Sequence, residues 1–442
     1  MKLVYDVEDK PSFGQIIIFA FQQLLAILAA TIAVPLIIGN GMQPAAALFG
    51  AGIGTIVYVL LTKAKSPVFL GSSFAFLGSM GAAFAGAVSV AAGYAGLIIG
   101  AAFAGLVYVV IAIIVKIAGV EWINKLMPKQ VIGPTVAIIG LSLAGNAVGD
   151  MRTPNVEGGN ELIAILCGLV TLLVVTLCSV YGSQAMKLVP FIIGIVAGYA
   201  LAAIFTVIGI ASGNTAFQIC DFSAFQNMSA ITVPEFTFLT AMKGVKEVDG
   251  AYIATLAVAY LPVAFVVFAE HLADHKNISS IIERDLLEKP GLHRTLLGDG
   301  VGSIAGAFFG GCPNTTYGES VACVAITGNA SVITIIVTAI LAICLSFVGP
   351  VVTFLGSIPK CVMGGVCMAL YGFIAVSGLK MVQKVDLEDN RNLFVVSVIL
   401  IAGIGGLSLT FGSITITTVA TALILGIVLN IILSKYKTKE EE

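Results

Sequence analysis

Charge is what this sequence has least of. Asp, Glu, Lys and Arg make up only 10% of its 442 residues, against 58% hydrophobic. A soluble domain carries about 25% charge, so a water-soluble globular protein is excluded and a polytopic membrane protein remains. A basic excess is also missing. The formal net charge is −2, which offers no face to nucleic acid. The eight cysteines contain no C-x-x-C pair; most fall in apolar stretches and read as small core residues. No cleavable leader is expected, because the first apolar run is too long for an h-region.

What is present is a series of charge-free stretches, among them 11–62, 66–115, 320–359 and 392–434. A helix crosses the bilayer on about 20 residues, so the longest of these hold two spans each. The expected fold is an all-α polytopic membrane protein with fourteen transmembrane segments, seven before residue 213 and seven after 250. Under that count Lys2, Lys10, Lys63, Lys65, Lys125, Lys129, Lys187, Lys276, Arg284, Arg391 and the tail lysines share one side. Only Arg152, Lys243, Lys246 and Lys360 fall on the other. The lysine and arginine bias places both termini in the cytoplasm. The charged tail 435–442 is expected to be disordered.

Seven is odd, so a second half built like the first would be inverted. Pro128-Lys129-Gln130-Val131-Ile132-Gly133 echoes Pro359-Lys360-Cys361-Val362-Met363-Gly364, and Ser72-Ser73-Phe74 echoes Thr315-Thr316-Tyr317. The last two triplets lie in stretches broken by Pro67 and Gly71, and by Gly310, Gly311, Pro313 and Gly318. Interrupted segments at matching places in two inverted halves point to a transporter's substrate site. Short extended stretches are therefore expected in segments 3 and 10, with half-helices starting near Ser73 or Phe74 and near Gly318.

Two carboxylates stand inside apolar runs, Glu270 and Glu319. A charge at a helix centre costs roughly 2.5–3.5 kcal/mol on insertion scales, which makes such a residue a functional candidate. Half-helix starts present unpaired N–H groups and a positive dipole end. Those amides suit carbonyl oxygens, the glutamates suit N–H donors, and Phe74 and Tyr317 suit a ring face. The complementary ligand is a small planar molecule with alternating N–H and C=O groups. On α-helical spacing, Glu270 and Asp274 share one face while His271 and His275 share another. E-H-x-x-x-H resembles a zinc helix only loosely, since H-E-x-x-H carries its glutamate between the ligands and His293 lies in a Pro-Gly loop. A metal site is disfavoured and no cofactor is implied. His275 and Lys276 are expected at the cytoplasmic interface. An intramembrane metalloenzyme and an anion channel are the rival classes, and the paired glutamates argue against the second.

G-S-S-F-A-F at 71–76, A-E-H at 269–271, P-G-L-H-R at 290–294, P-N-T-T-Y-G-E at 313–319 and I-P-K-C-V-M-G-G at 358–365 together resemble the nucleobase–cation symporter 2 family of nucleobase–ascorbate transporters, and within it the bacterial uracil permeases. The resemblance implies fourteen segments as two inverted sevens. A core domain would comprise 1–118 and 250–350, and a gate domain 119–213 and 351–442, with an extracellular linker at 214–249. It implies proton-coupled uracil uptake across the bacterial inner membrane by a homodimer. Carried over by position, substrate contacts fall on Glu270, Glu319, Phe74 and Gly318, with Ser73, Tyr317 and Ala30 lining the pocket. Proton coupling falls on Glu270, Asp274 and Asp299. Departures stand at Asp274, where those permeases have histidine, and at Ser320, Ala322, Cys361 and Gln23. Asp299 keeps a xanthine or other nucleobase symporter open as an alternative, and the missing histidine keeps an uncoupled facilitator open.

Overall fold

The computed structural model describes residues 3–119, 122, 127–226, 228–411 and 414–434. The charged tail 435–442, together with Lys2 and Lys125 of the charge count, lies outside the described residues. The first part of the chain forms α1 (Phe13–Ile38), α2 (Pro44–Leu61), a buried strand β1 (Leu70–Ser72), a 3-10 turn (Phe74–Phe76), α3 (Leu77–Ala85) and α4 (Val90–Ala118). Next come α5 (Lys129–Ser142), α6 (Ala144–Met151), α7 (Glu161–Tyr181), the short α8 (Gln184–Leu188), α9 (Pro190–Ser212) and α10 (Thr237–Gly244). The long α11 (Gly250–Ile282) leads to α12 (Leu292–Gly310), strand β2 (Asn314–Thr316), α13 (Gly318–Thr327) and α14 (Val332–Leu345). The chain closes with α15 (Gly349–Ser357), α16 (Lys360–Val382), α17 (Asn390–Ile404), the hairpin β3 (Leu409–Phe411) and β4 (Ile414–Ile416), and α18 (Thr418–Leu433). Among the described residues, eight helices are long and apolar enough to cross a membrane, and five shorter apolar ones accompany them. The chain is therefore a helical membrane protein.

Extended backbone inside such a bundle has to find partners, because no water is there to satisfy it. β1 pairs antiparallel with β2, Leu70 opposite Thr316 and Ser72 opposite Asn314. Side chains close the remaining edges. Thr55 of α2 accepts from Leu70 N at 2.9 Å and donates to Leu70 O at 3.2 Å, while Ser320 accepts from Phe69 N at 3.0 Å. Ser303 donates to Asn314 O, and Asn314 Nδ2 donates to Gly50 O at 3.0 Å. The Tyr317 hydroxyl donates to Ser72 O at 2.7 Å. The expectation of short extended stretches in segments 3 and 10, with half-helices starting near Ser73 or Phe74 and near Gly318, matches this geometry.

α11 starts at its Asp249 cap and runs 33 residues, through His275 and Lys276, to Ile282. The polar stretch 214–249 contributes α10, which packs on α4.

The chain before α1 is tied down. Val4 N and Tyr5 N donate to Gly328 O, Ala330 N to Tyr5 O, and Val332 N to Val7 O. Glu8 pairs with Lys65, and Asp6 with Arg284. Its hydrogen bond from Lys65, with that residue's charge, holds the Glu8 carboxyl below the usual range.

α2 and α12 approach at glycines. A Cβ at Gly50 would lie 2.5 Å from Gly306 O, and one at Gly306 would lie 2.3 Å from the Asn314 amide, the close approach that small residues allow between membrane helices. Gly306→Ala is expected to displace Asn314 and cost about 1–3 kcal/mol, lowering the melting temperature in detergent. Gly14→Ala, with no atom within 4 Å, should leave it unchanged. The depressed Glu8 carboxyl stabilises the N-terminal segment above the ordinary glutamate range and loses that contribution as pH falls through its lowered value. The protection factor of the Ala330 amide should therefore fall at acid pH, and Lys65→Gln should abolish that fall.

Candidate functional site

The strand crossing delivers two helix starts to one place. Ser73 precedes the turn at Phe74, Tyr317 precedes α13, and neither end has a side-chain cap. First-turn amides are thus left for a ligand. A cavity of about 460 Å³ lies over them, within the usual range for small-molecule sites. Ser73, Phe74, Tyr317, Gly318, Glu270, Glu319 and Asp274 all line it. Gly318 is exposed to it, whereas Phe74 and Tyr317 keep only 9% and 5% of their surface.

α11 brings Glu270 and Asp274 to the same wall, as one-turn spacing requires. The Thr316 hydroxyl donates to Asp274 Oδ2 at 3.1 Å, so β2 steadies the carboxylate that stands where the resemblance has histidine. Gln23 donates to Ser320 Oγ at 2.5 Å, which joins two of the departures into one contact between α1 and α13.

Two residues named from the sequence do not reach the cavity. Ala30 is buried within α1, and Ala26, one turn earlier, lines the wall instead. Asp299 lies behind the wall in α12, 0% exposed, with His271 Nδ1 at 2.9 Å from its Oδ2. His271 Nε2 is 3.0 Å from Thr295 Oγ1. His275, expected at the cytoplasmic interface, is also 0% exposed. The continuation of α11 holds it against α2, with Nε2 2.6 Å from the Tyr58 hydroxyl and Nδ1 2.8 Å from His271 O. The two imidazoles stack at 4.0 Å, on the face of α11 away from the carboxylates.

The opposite side of the cavity comes from residues that sequence reasoning passed over: Lys187 at the end of α8, Phe191 of α9, and Phe373, Ser377 and Met381 of α16. Four carry no signal in an apolar helix. Lys187 was visible as a cation between two spans, but nothing in its neighbourhood ties it to a site 80 residues on. A second cavity, about 270 Å³, shares Phe74 and Ala75 with the first and is otherwise lined by Ser79, Ser142, Ser408 and Thr417 among others.

Comparison with known proteins places this arrangement. A model of a permease family, Xan_ur_permease, matches residues 14–412. The uracil permease of Bacillus caldolyticus is 39% identical over 435 residues, covering 98% of this chain and 95% of that protein. The uracil permease of Bacillus subtilis (strain 168) is 36% identical over 450 residues, covering 100% and 98%. Among solved structures, the transmembrane domain of a cyanobacterial bicarbonate transporter, BicA, superposes with a TM-score of 0.60 at 14% identity, covering 96% of this chain and 99% of that one. That likeness speaks for the fold alone. The relatives are transporters rather than enzymes, and this chain, matched along nearly its whole length, belongs to their family of multi-pass membrane permeases.

Proposed function

We propose that this chain takes up uracil together with a proton, by alternating access. The observation that carries the reading is the meeting of two uncapped half-helix starts, at Phe74 and Gly318, with Glu270 and Glu319 in one cavity. Uracil is flat and alternates N–H with C=O. Glu270 and Glu319 accept from its N–H groups, backbone amides at Phe74 and Gly318 donate to its carbonyls, and Phe74 with Tyr317 and Ser73 shapes the rim. Glu270 carries the coupling proton, with Asp274 one turn along as its partner. The relatives' name supports the substrate.

The fold is read as fourteen segments in two inverted sevens. The eight long and five short apolar helices, together with α12, make fourteen. Contacts also repeat under the exchange of halves. α1 packs on α14 as α11 does on α4, α2 on α14 as α12 on α4, and α1 on α13 as α11 on α3. α7 packs on α16 as α17 on α5, and α7 on α9 as α17 on α18. Lys129 and Lys360 each open a helix after a proline cap, as the sequence echo requires. The first three pairings belong to a core and the last two to a gate. The substrate cavity lies on the seam between them and reaches Ile326, two residues before the Gly328 carbonyl that holds the N-terminal segment. It therefore opens on the face of the N-terminus, the cytoplasmic one by the lysine and arginine bias. Phe74 separates it from the second cavity, on the external side.

The proton on Glu270 removes one of the cavity's negative charges, and with uracil seated it lets the core move against the gate. One proton falling through about 100 mV contributes roughly 2.3 kcal/mol, enough for near fiftyfold accumulation.

The test is radiolabelled uracil uptake into proteoliposomes with and without an inward proton gradient, with xanthine as competitor. Accumulation that needs the gradient and ignores xanthine is expected. Uptake that only equilibrates would make the protein a facilitator, and strong competition by xanthine would move the substrate to the purines. Glu319→Gln replaces a charged acceptor, whose hydrogen bond contributes about 1.5–3 kcal/mol, so uracil binding should weaken about ten- to hundredfold by calorimetry. Glu270→Gln should bind weakly and lose uracil-driven proton flux; normal flux in that variant would remove Glu270 as the coupling residue.

A further inference from the structure

A third cavity, about 700 Å³, lies beside the substrate cavity and shares Ala273 and Met381 with its wall. Lysines reach it from three directions: Lys129 opens α5, Lys276 belongs to α11, and Lys384 follows the end of α16. α11 continues from Lys276 towards Arg284, whose partner is Asp6, so the cavity lies on the face of the N-terminus. The preference of lysine for the cytoplasmic side accounts for that face. It accounts neither for the convergence of three lysines on one cavity nor for their lack of partners. Among the described residues none of the three forms an ion pair, whereas Lys65, Arg284 and Arg391 each have one.

One carboxylate, Asp386, also lines the cavity, and it is engaged by its own turn. Its Oδ1 accepts from Glu388 N at 3.0 Å, and its carbonyl oxygen accepts from Asn392 Nδ2 at 2.9 Å. Three cations and one anion leave a formal excess of two positive charges around the cavity. The start of α5 adds to that excess. Its N-cap, Pro128, supplies no side-chain acceptor, and the first amides of a helix precede its first bond and carry the positive end of its dipole. The complement is an anion with more than one charge on a compact group, as a phosphate ester or a diphosphate provides. Lysine meets phosphate as a point charge and needs no fixed fork. A lone carboxylate would leave part of the excess unmet.

The lysines also stand on both moving parts. Lys276 is on the core, Lys129 and Lys384 are on the gate, in the division given above. Movement of core against gate changes the separation of Lys276 from the other two. An anion held by all three therefore prefers the arrangement described here, open on the face of the N-terminus, to its alternative. A ligand with such a preference shifts the population towards the form it prefers.

We propose that this cavity binds a phosphate-bearing anion, which clamps the core to the gate and slows uracil transport. The inference rests on the core and gate reading. Two sources present that chemistry at this face, a free diphosphate and the headgroup of an anionic lipid, and the experiment separates them.

The protein is reconstituted in phosphatidylcholine vesicles with magnesium-free pyrophosphate on both sides, and separately in phosphatidylcholine mixed with phosphatidylglycerol, without pyrophosphate. Potassium chloride at matched ionic strength is the control, because salt alone screens exposed charges. Initial uracil uptake by the native protein is expected to fall about five- to hundredfold, the usual range of coupling between two sites. The vesicles in which it falls identify the source. Lys276→Gln on the core and Lys384→Gln on the gate should each raise the half-inhibiting concentration, or lipid fraction, about tenfold, the loss of one charge-assisted bond. Both should leave uptake in chloride unchanged. Slowing that both variants keep in full would overturn the inference. So would native uptake that neither anion slows, with no lysine-dependent heat of pyrophosphate binding by calorimetry. Lysine-dependent heat without slowing would keep the site and fault the division into core and gate. A failure of proton coupling would show separately, as native protein that only equilibrates in chloride, with the clamp still read from the rate of equilibration.

Discussion

The structure depends on one constraint: extended backbone placed within a membrane must satisfy its own N–H and C=O groups. β1 and β2 meet it by pairing with each other, and Thr55, Ser320, Ser303 and Asn314 complete the ladder from three directions. A helix could have spanned the same depth without help. It would not have presented two uncapped helix starts in the middle of the protein. The glycines of α2 and α12 follow from the same constraint, because Asn314 reaches Gly50 only where Gly306 leaves room.

The two faces of α11 divide the chemistry. One turns Glu270 and Asp274 to the cavity, where Thr316 fixes the second of them. The other stacks His271 on His275 and binds them to α12 and α2. Four ionisable residues in six positions would be ruinous on a lipid-facing helix. Here each is held by a named neighbour or opens on a cavity.

Much of this was legible in the sequence because its departures from apolar monotony are few and each has a cause. Charge inside hydrocarbon marked Glu270 and Glu319; paired breaks marked the strands; the echo around Pro128 and Pro359 marked two helix starts that the structure shows as equivalent caps. Asp299 was marked too, but its distance from the cavity was not, since a helix face can be read from spacing while depth behind it cannot. Ala30 fell one turn from the residue that lines the wall. Phe191, Phe373 and Met381 escaped notice because an apolar residue facing a cavity looks like one facing lipid. That His275 is buried against Tyr58 was not visible either, since the two stand 217 positions apart.

The strand pair also sets a condition on how the protein is made. The Tyr317 hydroxyl and the Ser72 carbonyl that it binds stand 245 positions apart, and everything from α3 to α12 is synthesised between them. A nascent chain that has already inserted α1 and α2 therefore carries β1 with an open edge until β2 emerges. The helices packed around α16 have to enter the bilayer beside this unfinished centre. The cavity is thus completed late in biogenesis, and a ribosome that stops before Asn314 leaves a protein with many spans and no strand pair at its centre.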